Sequence, residues 1–160
     1  MKISLADIKP STKNIIVITG LTRSGKTAIC PIISSLKNCE QFFFSTAAEN
    51  LNTLNFLGKV DFKTSKNLIQ RCINEEVQDK INGRNLNTKK NDYTSISSFK
   101  NISMYLKRVN APHKPDENHK DYKKNNFPIL FHEGLLNLKL IEESMFSPKI
   151  INISRHPVDL

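Results

Sequence analysis

Residues 14–20 read Asn-Ile-Ile-Val-Ile-Thr-Gly, an unbroken run of β-branched side chains ending in glycine. A run this short, with no polar alternation, fits a strand covered on both faces, as in a parallel sheet. The period then changes. Residues 25–37 place Ala28, Ile29, Ile32, Ile33 and Leu36 at helical spacing, which predicts a helix bent by Pro31. Residues 41–45 form a second candidate strand, whose Phe42, Phe43 and Phe44 are expected in the core. Residues 66–81 carry Leu68, Ile69, Cys72, Ile73, Val77 and Ile81 along one stripe of a polar helix, closed by a loop at Asn82-Gly83.

From about 82 to 126 the pattern is lost in a polar excursion rich in Lys, Asn, Ser and Asp. Its later part, 110–126, adds Pro112, Pro115 and a run of charges, and is expected to be mobile. Strand periodicity returns at 127–131, a short helix is predicted over 135–145, and a last strand over 149–154. Strand, helix and strand in that order make a βαβ unit, hence parallel pairing and a right-handed crossover. The expected fold is therefore a single α/β domain over 1–160, a three-layer sandwich about a parallel central sheet. Because the chain closes at Leu160, where the next helix should begin, the domain is expected to be truncated at its C-terminus.

The chain carries a formal charge of +9. That favours anions of any kind, whether nucleotide, nucleic acid or anionic membrane, and equally suits a solvated basic surface. Lys89 and Lys90 near Tyr93 lack the interleaved aromatic platform that single strands need, so nucleic acid is not expected as a partner. The stretch 84–98 reads either as the lining of a substrate pocket or as a solvated loop. No apolar run approaches a membrane span, and the first twenty residues hold no signal peptide, so a cytoplasmic location is expected. Cys30, Cys39 and Cys72 lack disulfide or zinc spacing and read as reduced thiols, Cys30 in the core; no metal site is expected.

The sharpest motif is residues 20–27, Gly-Leu-Thr-Arg-Ser-Gly-Lys-Thr. Glycine, four residues, then Gly-Lys-Thr is the pattern of a phosphate-binding loop, set here between a predicted strand and a predicted helix. Glycines allow a tight turn that aims successive amides at one anion, and the helix adds its free N–H groups and dipole. Lys26 contributes a point charge and Thr27 a hydroxyl. This places the chain in the P-loop α/β class without naming the nucleotide.

Read with the last third of the chain, the loop resembles that of the PAPS-dependent sulfotransferases, where PAPS is 3′-phosphoadenosine 5′-phosphosulfate. Thr22-Arg23-Ser24-Gly25-Lys26-Thr27 looks like their 5′-phosphosulfate loop. Residues 150–159 look like their 3′-phosphate motif, a strand running into Arg155-His156-Pro157-Val158-Asp159. Phe131-His132-Glu133 lies where many members end a strand in the catalytic histidine, 23 residues before Arg155. The resemblance implies PAPS as cofactor, Thr22 to Thr27 and Arg155 as its ligands, and sulfuryl transfer to a hydroxyl or amine acceptor. Arg23 and Lys26 would neutralise developing charge, and His132 would take the acceptor's proton, though Glu133 is an equally plausible base.

This chain departs from the family at Lys26, where a small hydroxyl residue is usual, and it stops before the family's second 3′-phosphate ligand. A kinase or NTPase using Mg-ATP through Lys26, Thr27 and Glu133 therefore stays open. So does an inactive nucleotide-binding fragment.

Overall fold

The computed structural model describes residues 9–112 and 124–155. His156, Pro157, Val158 and Asp159 of the terminal motif lie outside the described residues, as does 113–123 of the expected mobile stretch. Among the described residues the strands are β1 (Ile15–Gly20), β2 (Phe43–Phe44), β3 (Phe127–Leu130) and β4 (Lys149–Ile153). They form one all-parallel sheet in the order β2-β3-β1-β4. The helices are α1 (Lys26–Ser34), α2 (Thr46–Phe56), α3 (Phe62–Asn82), α4 (Ile102–Asn110) and α5 (Leu138–Ser144).

Every residue of β1 is buried. Ile15 and Val17 enter a core with Ile69, Ile73, Leu140 and Ile141, from α3 and α5. Ile16 and Ile18 enter the opposite core with Cys30 and Ile33 of α1 and with Phe42. Apolar packing on both faces explains the missing alternation and confirms the expected layers, helices on either side of a parallel sheet. At the end of the strand Gly20 pairs with Ile153 of β4 at φ +149°, and a Cβ there would sit 2.1 Å from the Ile153 carbonyl oxygen.

The predicted helices are present; the stripe of Ile69, Ile73, Val77 and Ile81 is buried as expected, and the phase of α1 is corrected. In α1 the buried positions are Lys26, Cys30, Ile33 and Ser34, whereas Ala28 is exposed and Ile32 and Leu36 are 63% and 57% exposed. The helix also stops at Ser34, short of the expected residue 37. Its phase is set by Lys26, whose ammonium donates to the carbonyl oxygens of Gly20 (2.9 Å) and Leu21 (2.6 Å), so the face four and seven residues on turns inward. Cys30 follows on that face, its thiol pushed up to about 12 by burial. The α3 helix begins at Phe62 rather than 66, because the Asp61 carboxylate caps the Thr64 N–H at 3.0 Å. It ends, as expected, before Gly83, whose φ of +66° suits glycine.

Two elements have no counterpart in the hydrophobic pattern. The α2 helix is capped by Ser45 and buries Ala48, Glu49 and Asn52, a face too polar to show. The α4 helix lies within the supposed excursion, which over 82–112 is an ordered layer with its own apolar cluster of Ile96, Phe99 and Tyr105. What holds that layer is polar. The buried carboxylate of Glu40 accepts two hydrogen bonds from Arg108, both 2.8 Å, one from the Tyr105 hydroxyl at 2.6 Å, and one from Asn125 at 2.7 Å. Burial pushes the Glu40 carboxyl up, but these donors and the Arg108 charge outweigh it and hold it below the usual carboxylate value. Arg108 also donates to the Lys80 carbonyl of α3 at 3.0 Å.

Breaking a buried pair leaves an uncompensated charge, so Arg108→Met should cost about 3–5 kcal/mol in urea denaturation. A cost near zero would mean that the layer is held by its apolar cluster alone. Lys80 supplies a second check. Burial pushes its ammonium down from 10.5 to about 8. The folded chain therefore binds fewer protons than the unfolded one between those values, and stability rises with pH across that window. Lys80→Met should lack that rise, so the unfolding free energy of wild type minus that of the variant should increase with pH across the window.

Candidate functional site

The chain leaves β1 through α1 on one face of the sheet and leaves β3 through α5 on the other, in opposite directions along the strand order. Neighbouring strands whose connections diverge open a crevice at their carboxyl ends, the usual ligand site of an open α/β sheet. Here that crevice is a cavity of about 580 Å³. Thr22, Arg23, Ser24, Gly25, Lys26 and Thr27 line one side of it, and His132 and Glu133, just past β3, line the other. Residues 105 or more apart in sequence thus meet at one site.

The loop between β1 and α1 is turned by local conformation. Arg23 has φ +65° and Gly25 φ +94°, with the Ser24 N–H closing a turn onto the Leu21 carbonyl at 3.2 Å. A left-handed conformation is natural for Gly25 and strained for Arg23, a cost of about 1–3 kcal/mol of the sort found at ligand clamps. Gly25 is the N-cap of α1 and brings no side-chain cap, so no side chain at that position competes for the first-turn amides. Two donors of the Lys26 ammonium are engaged by loop carbonyls, leaving a third for an anion. Ser24 is 92% buried, from its 8% exposure, and its hydroxyl has no partner among the described residues. A buried, unpaired hydroxyl costs about 1–3 kcal/mol, so the loop carries an unfavourable polar group in its interior.

Across the cavity, the exposed His132 ring packs edge-on against Phe44 at 5.1 Å between centroids. Glu133 is exposed beside it, while its backbone is held: its N–H donates to the Glu49 carboxylate and its carbonyl accepts from Asn52 at 3.2 Å. Both candidate bases therefore reach the same space. Arg155 does not line it. This exposed residue lies just beyond β4, at the same end of the sheet, on the far side of β1 from His132.

Three contributors escaped the sequence. Tyr93, from the stretch read as pocket lining or solvated loop, does line the cavity, its carbonyl held by the Gln41 side chain at 2.6 Å. A lone tyrosine among polar residues carries no signal that singles it out. Glu49 and Asn52 had none either, since the helix bearing them was itself hidden. Chemically, the cavity sets two cations and a turned loop opposite two groups able to accept a proton. That arrangement suits transfer of an anionic group.

Lys26→Met keeps the buried stem and removes the charge. Losing one charge-assisted hydrogen bond should weaken inorganic pyrophosphate by about tenfold to a hundredfold in calorimetry. Unchanged affinity in a folded variant would take Lys26 out of the anion site.

Compared with protein-family models, with curated proteins and with solved structures, the chain matches none.

Proposed function

We propose that this is a P-loop protein of the sulfotransferase kind, moving a sulfuryl group from PAPS to a hydroxyl or amine acceptor. The observation that carries the reading is the shared cavity, which joins residues 22–27 to His132 and Glu133. The residues present fit an anionic nucleotide: the turned loop, with Arg23 and Lys26, lines one cavity, and two of the three Lys26 ammonium donors are engaged by loop carbonyls. PAPS, when bound, supplies an activated sulfuryl group. Amides from Arg23 to Thr27 would hold its 5′-phosphosulfate, and Arg155, across β1, its 3′-phosphate, a task that suits a planar guanidinium. Lys26 and Arg23 would neutralise charge building on the bridging oxygen. His132 or Glu133 would accept the acceptor's proton. With Arg155 on the β4 side and His132 on the β3 side, donor and acceptor are assigned to opposite flanks of the loop.

A second reading has its own support. Lys26 completes a Walker A pattern, and Glu133 shares the cavity with Thr27, which would serve a kinase or NTPase binding Mg-ATP. Calorimetry separates the two. The first reading expects 3′-phosphoadenosine 5′-phosphate to bind more tightly than ATP and indifferently to Mg²⁺. Preference for Mg-ATP overturns it in favour of the second, and binding of neither nucleotide overturns both. Arg155→Ala should weaken the bisphosphate by about tenfold or more, as expected for a charge-assisted contact, and leave adenosine 5′-phosphosulfate unchanged.

A further inference from the structure

Helix α2 buries a carboxylate and an amide where apolar side chains would pack at lower desolvation cost. Glu49 is 8% exposed and Asn52 is 0% exposed, and among the described residues no cation pairs with Glu49. A fold that needed only a covering helix would not select such a face. Three of its polar side chains share a destination. Glu49, Asn52 and Asn55, spaced three apart, all bond to the connection that follows β3: Glu49 to the Glu133 N–H, Asn52 to the Glu133 carbonyl at 3.2 Å, and Asn55 to the Asn137 side chain at 2.6 Å. Both backbone groups of Glu133 are thus held by side chains of another element.

From the other side the same connection presses on the end of β1. A Cβ on Gly134 would lie 2.7 Å from the Thr19 hydroxyl oxygen. The peptide after His132 is therefore clamped between β1 and α2, and the His132 ring is steered further by Phe44.

We propose that α2 is a polar latch and that Glu49 is a positioning residue, setting where His132 and Glu133 stand at the cavity without itself touching substrate. The functional meaning rests on the reading above, in which that edge faces a reacting acceptor; the latch itself does not.

The test uses the full chain and nuclear magnetic resonance, with no nucleotide needed. Glu49→Ala should speed exchange of the Glu133 amide by about tenfold to a hundredfold, as for loss of a hydrogen bond to a charged group. The His132 ring signals should lose the ring-current shift imposed by Phe44. Glu49→Gln, which keeps an acceptor oxygen, should restore most of both. Asn52→Ala should loosen the same amide, and it carries the test alone should Glu49→Ala not fold. Wild-type signals at Glu133 and His132 in these variants would overturn the latch, as would changes spread evenly over the chain. Binding of 3′-phosphoadenosine 5′-phosphate should stay within about twofold in Glu49→Ala, because that contact belongs to the β1 loop. A wild-type chain that binds no bisphosphate refutes the donor assignment and leaves the exchange result standing.

Discussion

The end of β1 comes so close to β4 that only a hydrogen fits between them at position 20: a Cβ would lie 2.1 Å from the Ile153 carbonyl oxygen. That contact lets β1 stay paired with β4 up to its last residue, two beyond the last that pairs with β3, where the backbone must also swing away into the loop. The same φ of +149° that forbids most side chains starts that swing. From this point the geometry propagates. The loop carbonyls capture Lys26, Lys26 sets the phase of α1, and the phase of α1 decides that Cys30 and Ile33, rather than Ile32 and Leu36, fill the core.

A second theme is the use of buried polar side chains as fasteners between parts far apart in sequence. Glu40 with Arg108 and Tyr105 ties the 82–112 layer to the sheet edge, and Glu49 with Asn52 ties the connection after β3 to α2. Neither arrangement is an economical source of stability, since desolvation offsets most of the attraction. Both specify position, because a hydrogen bond constrains distance and direction where an apolar contact leaves freedom to slide. Both also bear on the cavity. Gln41, adjacent to Glu40, holds the Tyr93 carbonyl, and Glu49 holds Glu133. The walls of the crevice are positioned by charge and amide, its floor by β-branched packing.

The loop itself is locally unfavourable. A left-handed Arg23, a buried hydroxyl without a partner and a lysine folded back on its own loop are each unfavourable or neutral to folding. All three lie within four residues, on a loop that lines one cavity.

The sequence by itself determined the parallel sheet and its central strand, the helix after the loop, the stripe of Ile69, Ile73, Val77 and Ile81, and the phosphate-loop pattern. These are local periods and local turn chemistry, and they are legible because backbone geometry repeats over a few residues. It also named His132, Glu133 and Arg155, but as points on a line. Only the tertiary structure decided that β1 and β3 would be neighbours with diverging connections, which brings His132 to the loop and leaves Arg155 across the strand. Only the tertiary structure revealed α2 and the 82–112 layer as ordered. Their buried faces include Glu, Asn and Arg, residues that composition assigns to water. They become interior only when a partner elsewhere in the chain, 68 residues from Glu40 to Arg108 and 84 from Glu49 to Glu133, arrives to satisfy them.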